Sequence, residues 1–289
     1  MYRDYRAERE TLTWLDFVAA GGQGVVFGGA EWVVKIPRWS WQTALGRVLV
    51  HPVTPVRALE VLGGLLEPFV LLERVAFRGP VVRAGRAIPG SRRDWSARWA
   101  VAGRRLAAAD FLDRRMVVAT PGEAADLMDG LLHTLEAIRV RGWHVLDCIM
   151  SNFVVGADGR VCLVDADLLV PVSHLRWPSQ QWSSRMFVRW MAPDYREVLA
   201  GVANRHPGDA DGLPRLAAVS DGLDDRLQAW RAGRGTVDAA AARPSTAVLP
   251  AVMHEEIGAA LIRGRRTFAL TRRLTPGYTP THHAITSEN

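Results

Sequence analysis

The sequence predicts an α+β protein built in two parts, a strand-rich region followed by a helix-rich one, on three observations. Short Val/Leu runs cut by glycine turns fill residues 12 to 88, the texture of strands and hairpins. From Trp95 to Arg141 the apolar residues recur at helical spacing, as in Ala124, Leu127, Leu131, Leu132, Leu135 and Ile138. Between the two, Pro89-Gly90-Ser91 gathers punctuating residues at an expected join. The expected organisation is an extension over 1–12, a strand-rich region 13–90, a helix-rich region 91–232, and a linker with a basic tail over 233–289. The last part contains TVDAAAARPSTAVLP and a helix expected around His254 to Leu274.

Composition narrows the class. The 289 residues are 48% hydrophobic and 23% charged, enough for one large domain or two lobes with a core. No apolar run approaches the ~18 residues of a membrane span, and the opening MYRDYRAERE carries no secretory apolar segment. A cytoplasmic protein without a membrane partner is therefore expected. Cys148 and Cys162 form no disulfide framework and no metal-ligand spacing. A net charge of +6 is spread along the chain rather than gathered in one run, so nucleic acid is not the expected partner.

The strand-rich region opens with Leu15 to Val18 as a strand, Ala19 to Gly24 as a turn and Val25 to Phe27 as the returning strand. Glycines at 21, 22 and 24 let backbone N–H groups approach a polyphosphate closely. The turn Gly28-Gly29-Ala30 then leads into the strand Trp32 to Ile36. Its Lys35 is the only lysine of the chain, against 35 arginines. A general need for charge does not explain that choice, whereas a site for one compact ammonium does. Period-two alternation sets Lys35 on the face of Val33, beneath the glycine turn.

The helix-rich region holds a second constellation in HVLDCIMSNFVVGADGRVCLVDADLL. Phe153 to Val155 and Val161 to Val164 read as a hairpin with Asp-Gly at its turn. Asn152 precedes its first strand and Asp165 follows its second, so both belong at the open end. A carboxylate and an amide oxygen side by side suit Mg²⁺. Asp147, on the loop leaving the long helix, reaches the same opening.

These motifs together resemble the eukaryotic-type serine/threonine protein kinase superfamily as it occurs in bacteria. AAGGQGVVF is similar to G-x-G-x-x-G-x-V with Ala19 in place of the first glycine, followed by Gly21, Gly24 and Val26, with Gly22 between them. Lys35 matches the lysine of V-A-I-K, Asp147 and Asn152 match H-R-D-x-x-x-x-N, and Asp165 matches the first residue of D-F-G. Arg189 to Asp194, RWMAPD, looks like the end of an activation segment. The resemblance covers residues 13 to 230 and implies a bilobal fold, with a small lobe of five antiparallel strands and one helix, and a mainly α-helical second lobe. It implies ATP and Mg²⁺ as cofactors, Lys35 on the phosphates, Asn152 and Asp165 on the metal, and Asp147 as the catalytic residue that orients or deprotonates the acceptor hydroxyl. It also implies a protein serine or threonine as acceptor. Thr54-Pro55 starts, and Gly63-Gly64 ends, a helix whose Glu60 is the implied partner of Lys35, chosen over Glu67 and Glu73.

The chain departs from the family at Leu146, where an arginine is usual, at Ile149, where a lysine is common, and at Asp165-Ala166-Asp167. Those departures keep two alternatives open: a pseudokinase that binds nucleotide or acts as a scaffold, and a small-molecule or sugar kinase. Without the arginine at 146, activity is expected not to depend on phosphorylation at Ser173, Ser179, Ser183 or Ser184.

Overall fold

A computed structural model of the chain describes residues 12–20, 24–37, 58, 61–67, 69–164, 169–176 and 178–233. It is a mixed α+β protein with small antiparallel sheets and, among the described residues, four α-helices of seven residues or more. The chain divides into two compact units: the first takes its described residues from 12–37 and 69–105, the second from 58–67 and 106–233. Among the described residues, no helix is long and apolar enough to cross a membrane.

The first unit is a five-stranded antiparallel sheet. Its strands are β1 (Asp16–Ala20), β2 (Gly24–Gly28), β3 (Trp32–Pro37), β4 (Phe69–Gly79) and β7 (Arg93–Arg104), in the order β1-β2-β3-β7-β4. A two-residue hairpin, β5 (Val82–Arg83) with β6 (Arg86–Ala87), joins β4 to β7. Alternation decides the faces: Val25, Phe27, Val34, Ile36, Val70, Leu72, Ala100 and Ala102 are buried together as one core. Phe77 joins this core with its ring centroid 4.9 Å from that of Phe27. It does so from the opposite parity of β4, because β4 and β7 run on beyond β3 as a two-stranded ribbon, and such ribbons twist strongly. The end of the ribbon returns to the chain entering β1, where the Leu15 N–H meets the Arg78 carbonyl at 2.8 Å and the Arg78 N–H meets that of Thr13 at 2.9 Å.

This sheet corrects the reading of helical spacing from Trp95. Residues 93 to 103 pair with β4 without a slip, and buried Ala100 and Ala102 alternate with half-exposed Val101 and Gly103, the period of two of a strand. Pro89-Gly90-Ser91 is a turn within this unit, fixed by the Val81 N–H on Ser91 Oγ at 2.9 Å and by Ser91 Oγ on the Ile88 carbonyl at 2.6 Å. The strand-rich unit continues past that turn to Arg105.

The second unit contains α1 (Leu112–Val118), α2 (Pro121–Val140), α3 (Pro178–Arg205) and α4 (Gly212–Ala232). The sequence TPGE starts α2 with a capping box: the Glu123 N–H donates to Thr120 Oγ1 and the Thr120 N–H to Glu123 Oε2. Those bonds hold the Glu123 carboxyl below its usual range. The expected apolar face of α2 is buried, apart from half-buried Leu127. Arg226 ties α4 back to α2 through Asp129 at 2.5 Å and buried Glu136 at 3.4 Å. Two short strand pairs complete the unit: β8 (Trp143–Val145) with β11 (Leu169–Pro171), and β9 (Phe153–Val155) with β10 (Val161–Leu163).

Two expectations change here. The helix expected before Gly63 is seen at Ala58, Val61 and Leu62, then a 3₁₀ turn over Gly63–Leu65. Its described residues belong to the helix-rich unit rather than to the strand-rich one. Arg141 donates to the Leu62 carbonyl at 2.9 Å and the Glu67 N–H to that of Leu163 at 2.8 Å, which accounts for the placement. RWMAPD is no loop end but the middle of α3. Val188, Met191, Ala192, Tyr195, Leu199 and Val202 form that helix's buried stripe, a 3.6-residue period that tolerates Pro193 within it. The helix expected over His254 to Leu274 lies outside the described residues.

Candidate functional site

In the sheet, register builds a row of candidate residues. A bulge between Phe17 and Ala19 shifts the pairing so that Ala19 stands opposite Val26. Val26 stands opposite Lys35, and Lys35 opposite Val101. Directly paired residues share a face, so Ala19, Val26 and Lys35 line up, with Val33 one step along beside Gly28. This face is half-exposed, whereas Val25, Phe27, Val34 and Ile36 point into the core. Gly24 is needed for close approach: a Cβ there would lie 3.1 Å from both Cγ and Cε of Lys35 and 3.0 Å from the Ile36 carbonyl. The lysine stem thus passes beside Gly24. Gly21, Gly22 and Glu60 lie outside the described residues.

In the second unit the hairpin forms where the Asp-Gly pair predicts it. Gly159 takes the left-handed φ of 78° that glycine adopts without strain. Arg160 N–H on Asp158 Oδ1 at 3.1 Å and Gly156 N–H on the Arg160 carbonyl at 2.8 Å close the turn. At the open end a 3₁₀ turn, Met150–Asn152, leads into β9. The Asn152 carbonyl takes the Val164 N–H at 2.8 Å, and its side-chain Nδ2 donates to the Asp147 carbonyl at 3.2 Å. The fold therefore brings Asp147 and Asn152 together. Asp147 follows β8 rather than leaving α2 directly, because Trp143 to Val145 pair with β11. Asp165 and Asp167 lie outside the described residues.

The donor set fits a hard cation. With its amide nitrogen committed to Asp147, Asn152 keeps Oδ1 as an acceptor, and oxygen ligands are what Mg²⁺ takes. Among the described residues no group of three His, Cys, Asp or Glu side chains could hold a metal.

The sequence gives no signal for what holds the hairpin and the loop before it in place. Thr134 of α2 donates to the Val161 carbonyl at 2.6 Å, and Tyr195 of α3 donates to the Cys148 carbonyl. Cys148 is fully buried, which pushes its thiol up to about 12, and burial pushes Cys162 up to about 11. Both are unreactive thiols at neutral pH. His144 is buried and stacked on Trp230 at 4.5 Å, with Nε2 against Ser184 Oγ at 2.8 Å. Burial, reinforced by Arg139 and Arg231, lowers its pKa to about 3. Ser184 is buried under that bond, which removes one of the four serines considered as modification sites. Leu146, at the position of the family's arginine, is buried in the core.

No protein-family model matches the chain, and no curated protein matches it. Among solved structures, a co-crystal structure of WbdD with the kinase inhibitor LY294002 matches at a TM-score of 0.34 and 14% identity. The match covers 73% of this chain and 45% of that one, so the chain spans less than half the length of that protein. A likeness of that size carries no argument about function, which rests instead on the residues.

Proposed function

We propose that the chain is a kinase-type phosphotransferase that uses Mg·ATP. The observation that supports the reading is the mouth of the β9–β10 hairpin, where the Asp147 carbonyl accepts from Asn152 Nδ2 and leaves the amide oxygen as an acceptor. In this reading Asp147 orients the acceptor hydroxyl and takes its proton, and Asn152 with Asp165 holds the metal. Bound Mg²⁺ would neutralise charge building on the phosphates. Lys35 steadies the α- and β-phosphates, and the backbone around Ala19, Gly21, Gly22 and Gly24 covers them, with Glu60 as the lysine's partner.

A protein serine or threonine is the acceptor that the resemblance implies. The helical form of RWMAPD within α3 favours a second reading, a small-molecule or sugar hydroxyl, because the stretch is not there the end of an extended activation segment.

Calorimetry with Mg·ATP, alongside turnover assays with protein and sugar acceptors, tests the proposal. Asp147→Asn is expected to lower turnover by about 10³-fold while keeping nucleotide binding. Lys35→Ala and Lys35→Arg are both expected to weaken binding, since a planar fork does not replace a point charge. Binding without turnover in the unaltered chain would assign it as a pseudokinase. Absence of binding would overturn the reading.

A further inference from the structure

Between α3 and α4 lies a groove of about 490 Å³ whose polar lining is strongly cationic. Arg185, Arg189 and Arg196 come from one face of α3, at helical spacing; Asp224, Gln228 and Arg231 come from one face of α4. The lining therefore carries four guanidinium groups and one carboxylate. Asp224 is already engaged by Arg196. Arg231 is held by Gln228, whose Oε1 accepts from Nη2 at 2.9 Å and from Nε at 3.3 Å. A neutral amide thus orients Arg231 without cancelling its charge.

Arg185 and Arg189 are exposed, sit four residues apart and repel each other. Neither makes an ion pair or a side-chain hydrogen bond with another described residue. Val188 and Ala192 are buried at the base of the groove, and Pro193 adds a further apolar surface.

A single carboxylate is matched by one arginine, as the Arg196–Asp224 pair illustrates. Three further arginines with no counter-acid among the described residues match a dianion with several acceptor oxygens. We infer that this groove binds a phosphomonoester dianion, with the phosphate on Arg185, Arg189 and Arg231 and the carbon part of the ester over the apolar base. The site is independent of the ATP reading, and its test needs neither nucleotide nor turnover.

Calorimetry on the full chain, without ATP or magnesium, uses N-acetylphosphoserine amide, its unphosphorylated parent and glycerol phosphate as probes. The phosphorylated probes are expected to bind and the parent not to. Preference for the phosphoserine amide would assign the ligand to a protein segment, and preference for glycerol phosphate to a small molecule. Combining Arg185→Gln with Arg189→Gln, which keeps helix-forming side chains, is expected to weaken binding by at least about tenfold. Arg114→Gln, at an exposed arginine beside Asp113 on α1, is expected to leave it unchanged. The inference is overturned if neither phosphorylated probe binds at millimolar concentration. It is equally overturned if the double variant binds like the unaltered chain, or if Arg114→Gln weakens binding as much.

Discussion

The row through Lys35 and the opening beside Asp147 are positioned by different means. In the sheet, Ala19, Val26 and Lys35 are aligned by ladder pairing and one bulge, and Gly24 admits the lysine stem. In the hairpin and the loop before it the backbone is held by side chains from far along the chain. Thr134 is 27 residues from its partner Val161 and Tyr195 is 47 from its partner Cys148, while Cys162 donates to the Gly64 carbonyl across 98 residues. A site set by register is disturbed only from within its own strands. A site set by tertiary anchors is disturbed from remote helices that never touch a ligand.

Tyr195→Phe makes the sharpest test of that contrast. It leaves the buried Cys148 carbonyl without its donor, a loss of up to about 3 kcal/mol. Hydrogen exchange is expected to speed up at the Asn152 and Val164 amides while those of β2 and β3 keep their rates. Equal acceleration in the sheet would erase the distinction between the two regions.

A smaller effect comes from His144. Its folded pKa of about 3 lies below the ordinary histidine value, so the unfolded chain takes up a proton that the folded chain refuses. Stability is therefore full above pH ~6.5 and falls as the pH drops from there toward 3, by roughly 2 kcal/mol at pH 5. Urea titrations at pH 7 and pH 5 check this. His144→Phe, which keeps a ring against Trp230, is expected to lose that much less on acidification. An unchanged loss would place its origin in other groups.

Gly24→Ala is the mildest of the three. The added methyl group crowds the Lys35 stem and the Ile36 carbonyl, a cost on the order of 1 kcal/mol for a neighbour that must shift. The expected signature is a shifted Lys35 Nζ resonance with the hairpin-mouth amides unmoved. A disturbance at Asn152 instead would mean that the two regions are not separable.

The parts legible in the sequence were those written in short-range pattern. Alternation over Trp32 to Ile36 foretold the face of Lys35, Asp158-Gly159 foretold the turn of the second hairpin, and the spacing from Ala124 to Ile138 foretold the buried side of α2. Each is a rule about residues fewer than about five apart. The reading failed where two periods competed: alanines between Trp95 and Val101 imitated a helix until β4 supplied a full ladder of partners. It failed again at RWMAPD, where a family motif was matched by letters while the stripe from Val188 to Val202 carried a helix.

By itself the sequence determined which residue types could carry the chemistry: a single lysine after a glycine hairpin, and an aspartate and an asparagine five positions apart before a strand. Only the tertiary structure decided what fixes them. The bulge at Val18 brings Ala19 into the row of Lys35, and Tyr195 with Thr134 pins the loop and hairpin around Asn152. A bulge is one extra residue in one strand and shows only against its partner. A buried carbonyl accepts from whichever donor the fold delivers, so neither choice is encoded in the neighbouring residues.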